Sequence, residues 1–199
     1  MGKFIILAAV LVGAMMLSWG GCKGRCEQMA ERKDEITFKG KPLTLLGEMP
    51  RVGEAAADVE VIGNDMSKIQ ISSFKGKVLV LSAVPSLDTP TCAIETRRFN
   101  EEAAGLGDDV AVLTVSMDLP FAQKRWCGAE GIDKVITASD YRERELGNKY
   151  GILIKELKLL ARTIFVIDKN GVIQYVQLVK EVSSEPDYAA VIAAVKKLK

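Results

Sequence analysis

The stretch from Val78 to Phe99 constrains the fold more than any other. The apolar run Val78-Leu79-Val80-Leu81-Ser82-Ala83-Val84 is followed by Pro85-Ser86-Leu87-Asp88-Thr89-Pro90-Thr91-Cys92 and then by Ala93-Ile94-Glu95-Thr96-Arg97-Arg98-Phe99. That order reads strand, loop, helix. A β-branched and leucine-rich run of this kind is a buried parallel strand, and Pro85 ends it because proline has no N–H to give the ladder. Pro90 sets the backbone for a helix start, so Cys92 falls in the first helical turn. Unpaired N–H groups and the positive end of the helix dipole favour an anion there. A thiolate is such an anion: a free cysteine with a pKa near 8.5 is only about 3% ionised at pH 7, and helix N-termini or nearby cations lower that value to ~6 or below. Position makes Cys92 a candidate nucleophile, and equally a small buried hydrophobe.

The chain ahead of this stretch begins with a leader. Lys3 supplies a positive n-region, Phe4 to Leu17 an apolar h-region, and Ser18-Trp19-Gly20-Gly21 a run of mostly small residues before Cys22, the layout of a secretory signal over residues 1–21. The apolar run is shorter than the ~20 residues of a spanning helix unless Ser18 to Gly21 is counted in. Residues 22–35 are dense in charge without an apolar period and read as a solvated tether. The domain is expected over residues 36–199, opening with a hairpin of Ile36-Thr37-Phe38 and Leu43-Thr44-Leu45-Leu46. A second strand pair, Val59 to Ile62 with Lys68 to Ile71, precedes the central strand.

Beyond Cys92 a helix is expected to stop at Gly105 to Gly107, followed by a buried strand from Val110 to Ser116. Strand, helix, strand at this length is a βαβ unit. Pro120 starts a short helix carrying Cys127, Val135 to Thr137 is a brief strand, and Tyr141 to Tyr150 reads as a helix closed by Gly151. Thr163 to Asp168 and Val172 to Val179 form an antiparallel pair across Asn170-Gly171, and Asp187 to Leu198 makes the last helix. The pattern suits an α/β, thioredoxin-like fold on a mixed central sheet, with no internal repeat.

The formal net charge is +1, with acids and bases interspersed, so nothing marks a nucleic-acid footprint. The chain has no histidine, which removes Cys-His and Ser-His catalysis and leaves only scattered cysteines for a zinc site. The cysteines fall in two groups, Cys22 with Cys26 and Cys92 with Cys127. In an exported protein a structural Cys92–Cys127 bridge is the plain reading of the second pair.

Pro85, Thr89 and Cys92 match Pro-x-x-x-Thr-x-x-Cys, and the wider Pro-Ser-Leu-Asp-Thr-Pro-Thr-Cys resembles the thiol peroxidase branch of the peroxiredoxins. The segment Asp118-Leu119-Pro120-Phe121-Ala122-Gln123-Lys124-Arg125-Trp126-Cys127-Gly128-Ala129-Glu130-Gly131 is similar to the one that carries the resolving cysteine of that branch. The N-terminal hairpin also resembles the branch. Cys22 resembles the lipid-modified cysteine of bacterial lipoproteins, with Trp19 departing from the usual leucine; ordinary signal cleavage or a disulfide to Cys26 are the other readings.

The resemblance implies an exported, lipid-anchored enzyme, periplasmic or membrane-held, that reduces hydrogen peroxide and organic hydroperoxides without metal or haem. Cys92 would attack the O–O bond, and Cys127 would resolve the sulfenic acid to a disulfide after local unwinding of both helices. Thr89 would donate to sulfur or peroxide, or merely cap the helix. Pro85 would shield the sulfur. Arg162, before the strand Thr163 to Asp168, resembles the family's active-site arginine. The passage Gly151 to Leu160 lacks the family's glycine- and proline-bearing turn, which leaves the approach of Arg162 open. The implied partners are a thioredoxin-like reductant and a second copy in a homodimer. A thiol-disulfide oxidoreductase would need Cys-x-x-Cys, and position 89 is threonine. The remaining rival is a membrane-tethered binding module of the same fold with a structural disulfide.

Overall fold

The computed structural model describes Met1 and residues 29–199. The signal segment, Cys22 and Cys26 lie outside the described residues. In chain order the elements are β1 (Glu31–Phe38), β2 (Lys41–Leu46), β3 (Glu60–Gly63), β4 (Lys68–Gln70), β5 (Val78–Ala83), α1 (Pro90–Leu106), β6 (Val110–Ser116) and α2 (Pro120–Glu130). They continue with β7 (Ile136–Ser139), α3 (Glu145–Lys149), β8 (Leu153–Ile154), β9 (Thr163–Ile167), β10 (Ile173–Leu178) and α4 (Tyr188–Lys196).

Strands pair into a seven-stranded sheet of order β10-β9-β5-β6-β7-β3-β4 and a three-stranded sheet of order β1-β2-β8. β5 runs parallel to β6 and β6 to β7, while β9 is antiparallel to β5. The apolar runs are continuous because both faces of the large sheet are covered. Val78 and Val80 of β5, Val112 of β6 and Ile164 and Val166 of β9 point to a core closed by Phe99 and Leu106 of α1 and Val191 and Val195 of α4. Their neighbours Leu79, Leu81, Leu113, Val115, Phe165 and Ile167 point the other way, under the small sheet and the α3 region. Phe99 and Tyr188 meet edge to face with ring centroids 5.4 Å apart, which fixes α1 against α4. This is a thioredoxin-like fold with a mixed central sheet and an additional N-terminal hairpin.

Two expectations need correction, and the approach of Arg162, left open by the sequence, is settled by the backbone before it. β1 starts at Glu31, inside the segment read as a solvated tether. It is an edge strand whose register shifts between Lys33 and Ile36, so the run of charges from Glu31 to Glu35 stays at the surface or half-buried while Ile36 alone is buried, and Arg32 donates to the carbonyls of Gly47 and Gly151 at 2.9 Å. The helix expected from Tyr141 is only Glu145–Lys149, because Arg144 takes φ 56° and the Asp140 carboxylate accepts from the N–H groups of Leu146 and Gly147. The passage before Arg162 does turn without glycine or proline. Leu153–Ile154 pairs with Leu46–Leu45, the chain reverses, and Lys158 adopts φ 57° where a glycine is usual. The N–H of Ile154 then meets the carbonyl of Leu159 and that of Ala161 the carbonyl of Ile152, so the chain enters β9 with Arg162 fixed at its edge.

Candidate active site

Proline at the first position of α1 leaves Thr89 as the extended residue before the helix, with φ −110° and ψ 145°. Thr89 has the N-cap position but its hydroxyl makes no cap bond to the helix backbone. It lies 2.8 Å from Cys92 Sγ and 3.0 Å from the carbonyl of Ser86. One hydrogen serves both contacts. With the sulfur as a thiol, Thr89 accepts from it and donates to Ser86; with the sulfur as a thiolate, Thr89 donates to the anion.

Arg162 faces the same sulfur from β9, with Nη2 at 3.3 Å from Cys92 Sγ. Its Nε and Nη2 also donate to the carbonyl of Val182 at 3.2 and 3.1 Å, and Nη1 is ion-paired with Glu95. Glu95 stands one turn along α1 from Cys92 and accepts from the Ser82 hydroxyl of β5 at 2.7 Å. Cys92 and Glu95 are both 0% exposed and Arg162 is 1% exposed. Burial pushes the Glu95 carboxyl above its ordinary value, against the pull of Arg162 and Ser82. Burial also works against the Arg162 cation, but Glu95 and Cys92 outweigh it and hold the guanidinium above its ordinary value, so it stays charged. The planar fork thus spans a carbonyl, a carboxyl group and the sulfur.

Water is kept off the sulfur by Val84, Leu87 and Trp126, which form a small apolar cluster with Cys92. Pro85 is buried in the same loop. A cleft of about 270 Å³ adjoins the cluster, lined by Leu87, Asp118, Gln123, Arg125 and Trp126 among others. A hydroperoxide that reached the sulfur would meet a hydroxyl and a guanidinium placed to take the charge that develops on its leaving oxygen.

Cys127 is placed elsewhere. Consecutive residues of a helix point about 100° apart. α2 therefore turns Trp126 toward Cys92, while Cys127 Sγ meets Thr137 Oγ1 of β7 at 3.2 Å. Asn64 donates to the same threonine oxygen at 2.7 Å. Both cysteines are free thiols, each in its own hydrogen-bonded setting, so the structural bridge of the binding-module reading is absent between them. Arg97 and Arg98 stay on the surface, paired with Glu130 and Glu102.

The structure brings Cys92, Thr89 and Arg162 together as the sequence predicts, with Pro85 in the loop beside them. Glu95, Ser82 and the Val182 carbonyl are additions. Only Glu95 left a signal in the sequence, lying with Cys92 and Phe99 at positions i, i+3 and i+7, one helix face.

The Redoxin family model matches residues 51–192. The chain is 55% identical over 162 residues to the thiol peroxidase of Oceanobacillus iheyensis, covering 81% of this chain and 98% of that protein. It is 52% identical to the thiol peroxidase of Bacillus subtilis, covering 82% and 98%. A crystal structure of a peroxiredoxin-like protein from Aquifex aeolicus superposes with a TM-score of 0.79 at 45% identity, covering 86% of this chain and 99% of that one. The thiol peroxidase from Chromobacterium violaceum shares the fold, with a TM-score of 0.73 at 17% identity over 81% of this chain and 95% of its own. The buried cysteine at a helix start and these relatives agree: the chain belongs to the redoxin family and, within it, to the thiol peroxidases of the peroxiredoxin kind.

Proposed function

We propose that this peroxidase reduces hydrogen peroxide and organic hydroperoxides in antioxidant defence, through Cys92 and then Cys127. The observation that carries the reading is the Cys92 sulfur, sealed from water and faced by the Thr89 hydroxyl at 2.8 Å and Arg162 Nη2 at 3.3 Å. The thiolate gives an electron pair to the nearer peroxide oxygen, the S–O bond forms and the O–O bond breaks. The leaving hydroxide or alkoxide takes the proton that the thiol released, giving water or an alcohol. Cys127 then attacks the sulfenic sulfur; an S–S bond replaces S–OH and water leaves. A dithiol protein of the thioredoxin kind restores both thiols by exchange.

The separate settings of Trp126 and Cys127 on α2 support an opening step between these reactions, in which the first turn of α1 and part of α2 unwind. The leader and Cys22 support an exported chain held to the membrane by lipid. The homodimer rests on the resemblance to the peroxiredoxins alone. Loss of membrane retention in Cys22→Ser tests the anchor, and sedimentation tests the dimer.

The deciding experiment is single-turnover oxidation of the reduced full chain by hydrogen peroxide and by cumene hydroperoxide, followed by peptide mass. The expected product is a Cys92–Cys127 disulfide, replaced in Cys127→Ser by one oxygen trapped on Cys92. The reading is overturned if Cys92 oxidises no faster than an ordinary exposed cysteine.

A further inference from the structure

The loop that carries the site, Pro85 to Asp88, holds itself together with short-range bonds: the Thr89 N–H and hydroxyl reach the Ser86 carbonyl, and the Asp88 N–H reaches Ser86 Oγ. Among the described residues its hydrogen bonds to the rest of the protein go to one side chain, Asp118. Asp118 Oδ1 accepts from the Ser86 hydroxyl at 2.7 Å, and Oδ2 accepts from the Leu87 N–H at 2.7 Å and the Ser116 hydroxyl at 2.7 Å.

Asp118 is itself anchored on the other side. It sits between the end of β6 and Pro120, the first residue of the helix that carries Cys127. The Ser139 hydroxyl of β7 donates to its carbonyl, and Ser116 Oγ also accepts from the Gln123 amide at 2.9 Å, one turn into α2. Gln123 is 1% exposed and donates as well to the Ala138 carbonyl at 2.9 Å. The carboxylate therefore joins the Cys92 loop to the base of the Cys127 helix. Beside it lie the apolar cover of Trp126 and, from α1, the exposed Arg97–Glu130 pair, which is of a kind that contributes little, while Asn100 of α1 accepts from the backbone beyond the far end of α2.

We infer that Asp118 is a positioning residue that latches the Cys92 loop to the start of α2, so that its three-way hydrogen bonding sets how long Cys92 stays in the peroxide-reducing arrangement before it meets Cys127. The inference rests on the disulfide reading above. Its consequence is a partition. A sulfenic acid held closed has time to meet a second hydroperoxide, which adds another oxygen to sulfur and leaves as water or alcohol, giving the sulfinic acid; one released early is captured by Cys127. A carboxylate accepting two bonds from the loop is the stronger, charge-assisted kind of link, so its loss shifts the closed-to-open balance by roughly tenfold or more.

The test is rapid-mix oxidation of full-length wild type, Asp118→Ala, Asp118→Asn and Ser86→Ala by hydrogen peroxide, with the thiol, sulfenic, sulfinic and disulfide forms counted by mass. In Asp118→Ala the reaction with peroxide should slow while conversion of sulfenic acid to disulfide quickens by roughly tenfold, and the sulfinic form at high peroxide should fall in proportion. Asp118→Asn, which keeps an acceptor for the Leu87 N–H, and Ser86→Ala, which removes one bond from the loop side, should lie between. Gly151→Ala serves as a control for general loss of stability, and a merely structural role for Asp118 would make its variant resemble that control. Unchanged or parallel changes of the two rates overturn the latch. A wild type that forms no Cys92–Cys127 disulfide removes the disulfide reading and the latch with it.

Discussion

Among the described residues the guanidinium of Arg162 has one carboxylate partner, and that partner lies on the same helix as the nucleophile. Glu95 fixes Nη1, the Val182 carbonyl takes Nε and Nη2, and what remains of Nη2 is aimed at the sulfur. Replacing Glu95 by glutamine keeps the shape and the bond from Ser82 but leaves a buried cation without its counter-charge. Breaking a buried pair from one side is costly, so Glu95→Gln should lose up to about 3 kcal/mol in denaturant unfolding. The same change lets the fork swing, and the single-turnover rate with hydrogen peroxide should fall roughly tenfold to a hundredfold. A variant within twofold of wild type in stopped flow would mean that Val182 alone orients Arg162. Cys92 and Thr89 were legible in the sequence because their geometry is local, set by Pro85 and Pro90 within one turn. Glu95 is only partly so: it shares a helix face with Cys92 and Phe99, but a glutamate beside Arg97 and Arg98 reads as part of a solvated face until its partner from β9 is in place.

Elements with a strong apolar run, β5, β6 and β9, fall where the sequence puts them, because both faces of each are buried. Those held by side chain to backbone bonds do not. β1 is hidden by its charges, α3 is shorter than the sequence predicts because the Asp140 cap is not a periodic signal, and the turn before β9 is masked by a lysine in a left-handed conformation. Gly151, by contrast, was legible as the end of α3, and the structure adds a second reason for it. Its φ is 61°, and a Cβ there would stand 2.6 Å from the Glu48 carbonyl oxygen and 2.7 Å from the Met49 nitrogen. Both are backbone atoms that cannot swing aside. Gly151→Ala should therefore lose about 2–3 kcal/mol of stability from crowding and backbone strain together. A melting temperature equal to wild type would show that the passage from Glu48 to Met49 yields freely.

Across the whole molecule, the N-terminal hairpin and the active site are tied through the segment after β10. Glu181 accepts from the hydroxyls of Thr37 at 2.8 Å and Ser183 at 2.6 Å and from the N–H groups of Lys39 and Gly40 at 3.0 and 3.2 Å. Its neighbour Val182 donates its N–H to the Thr37 carbonyl at 2.9 Å and offers the carbonyl that holds Arg162. No local pattern announces such a joint, which needs residues from both ends of the domain. The hydroxyls of Ser183 and Thr37 pull the Glu181 carboxyl from its ordinary 4.5 down to about 2. A carboxyl depressed on folding adds stability that is fully present above its unfolded value and is lost as pH falls through the folded one. The contribution of Glu181 is therefore complete above about pH 4.5 and disappears by about pH 2. Asp140 acts in the opposite sense: burial, against its bonds from Gly147 and Leu146, pushes it up to about 6, so its penalty grows as pH rises from 3.8 to about 6. Subtraction separates the two. The difference in melting temperature between wild type and Glu181→Gln should be largest and constant above pH 5 and should close as pH falls from 4.5 to 2, while Asp140 cancels because both proteins carry it. A gap that persists unchanged to pH 2 would mean that the joint depends on the shape of the side chain and not on its charge. Because Val182 is part of the joint, the same variant should also lower the peroxide rate above pH 5, linking the hairpin to the orientation of Arg162.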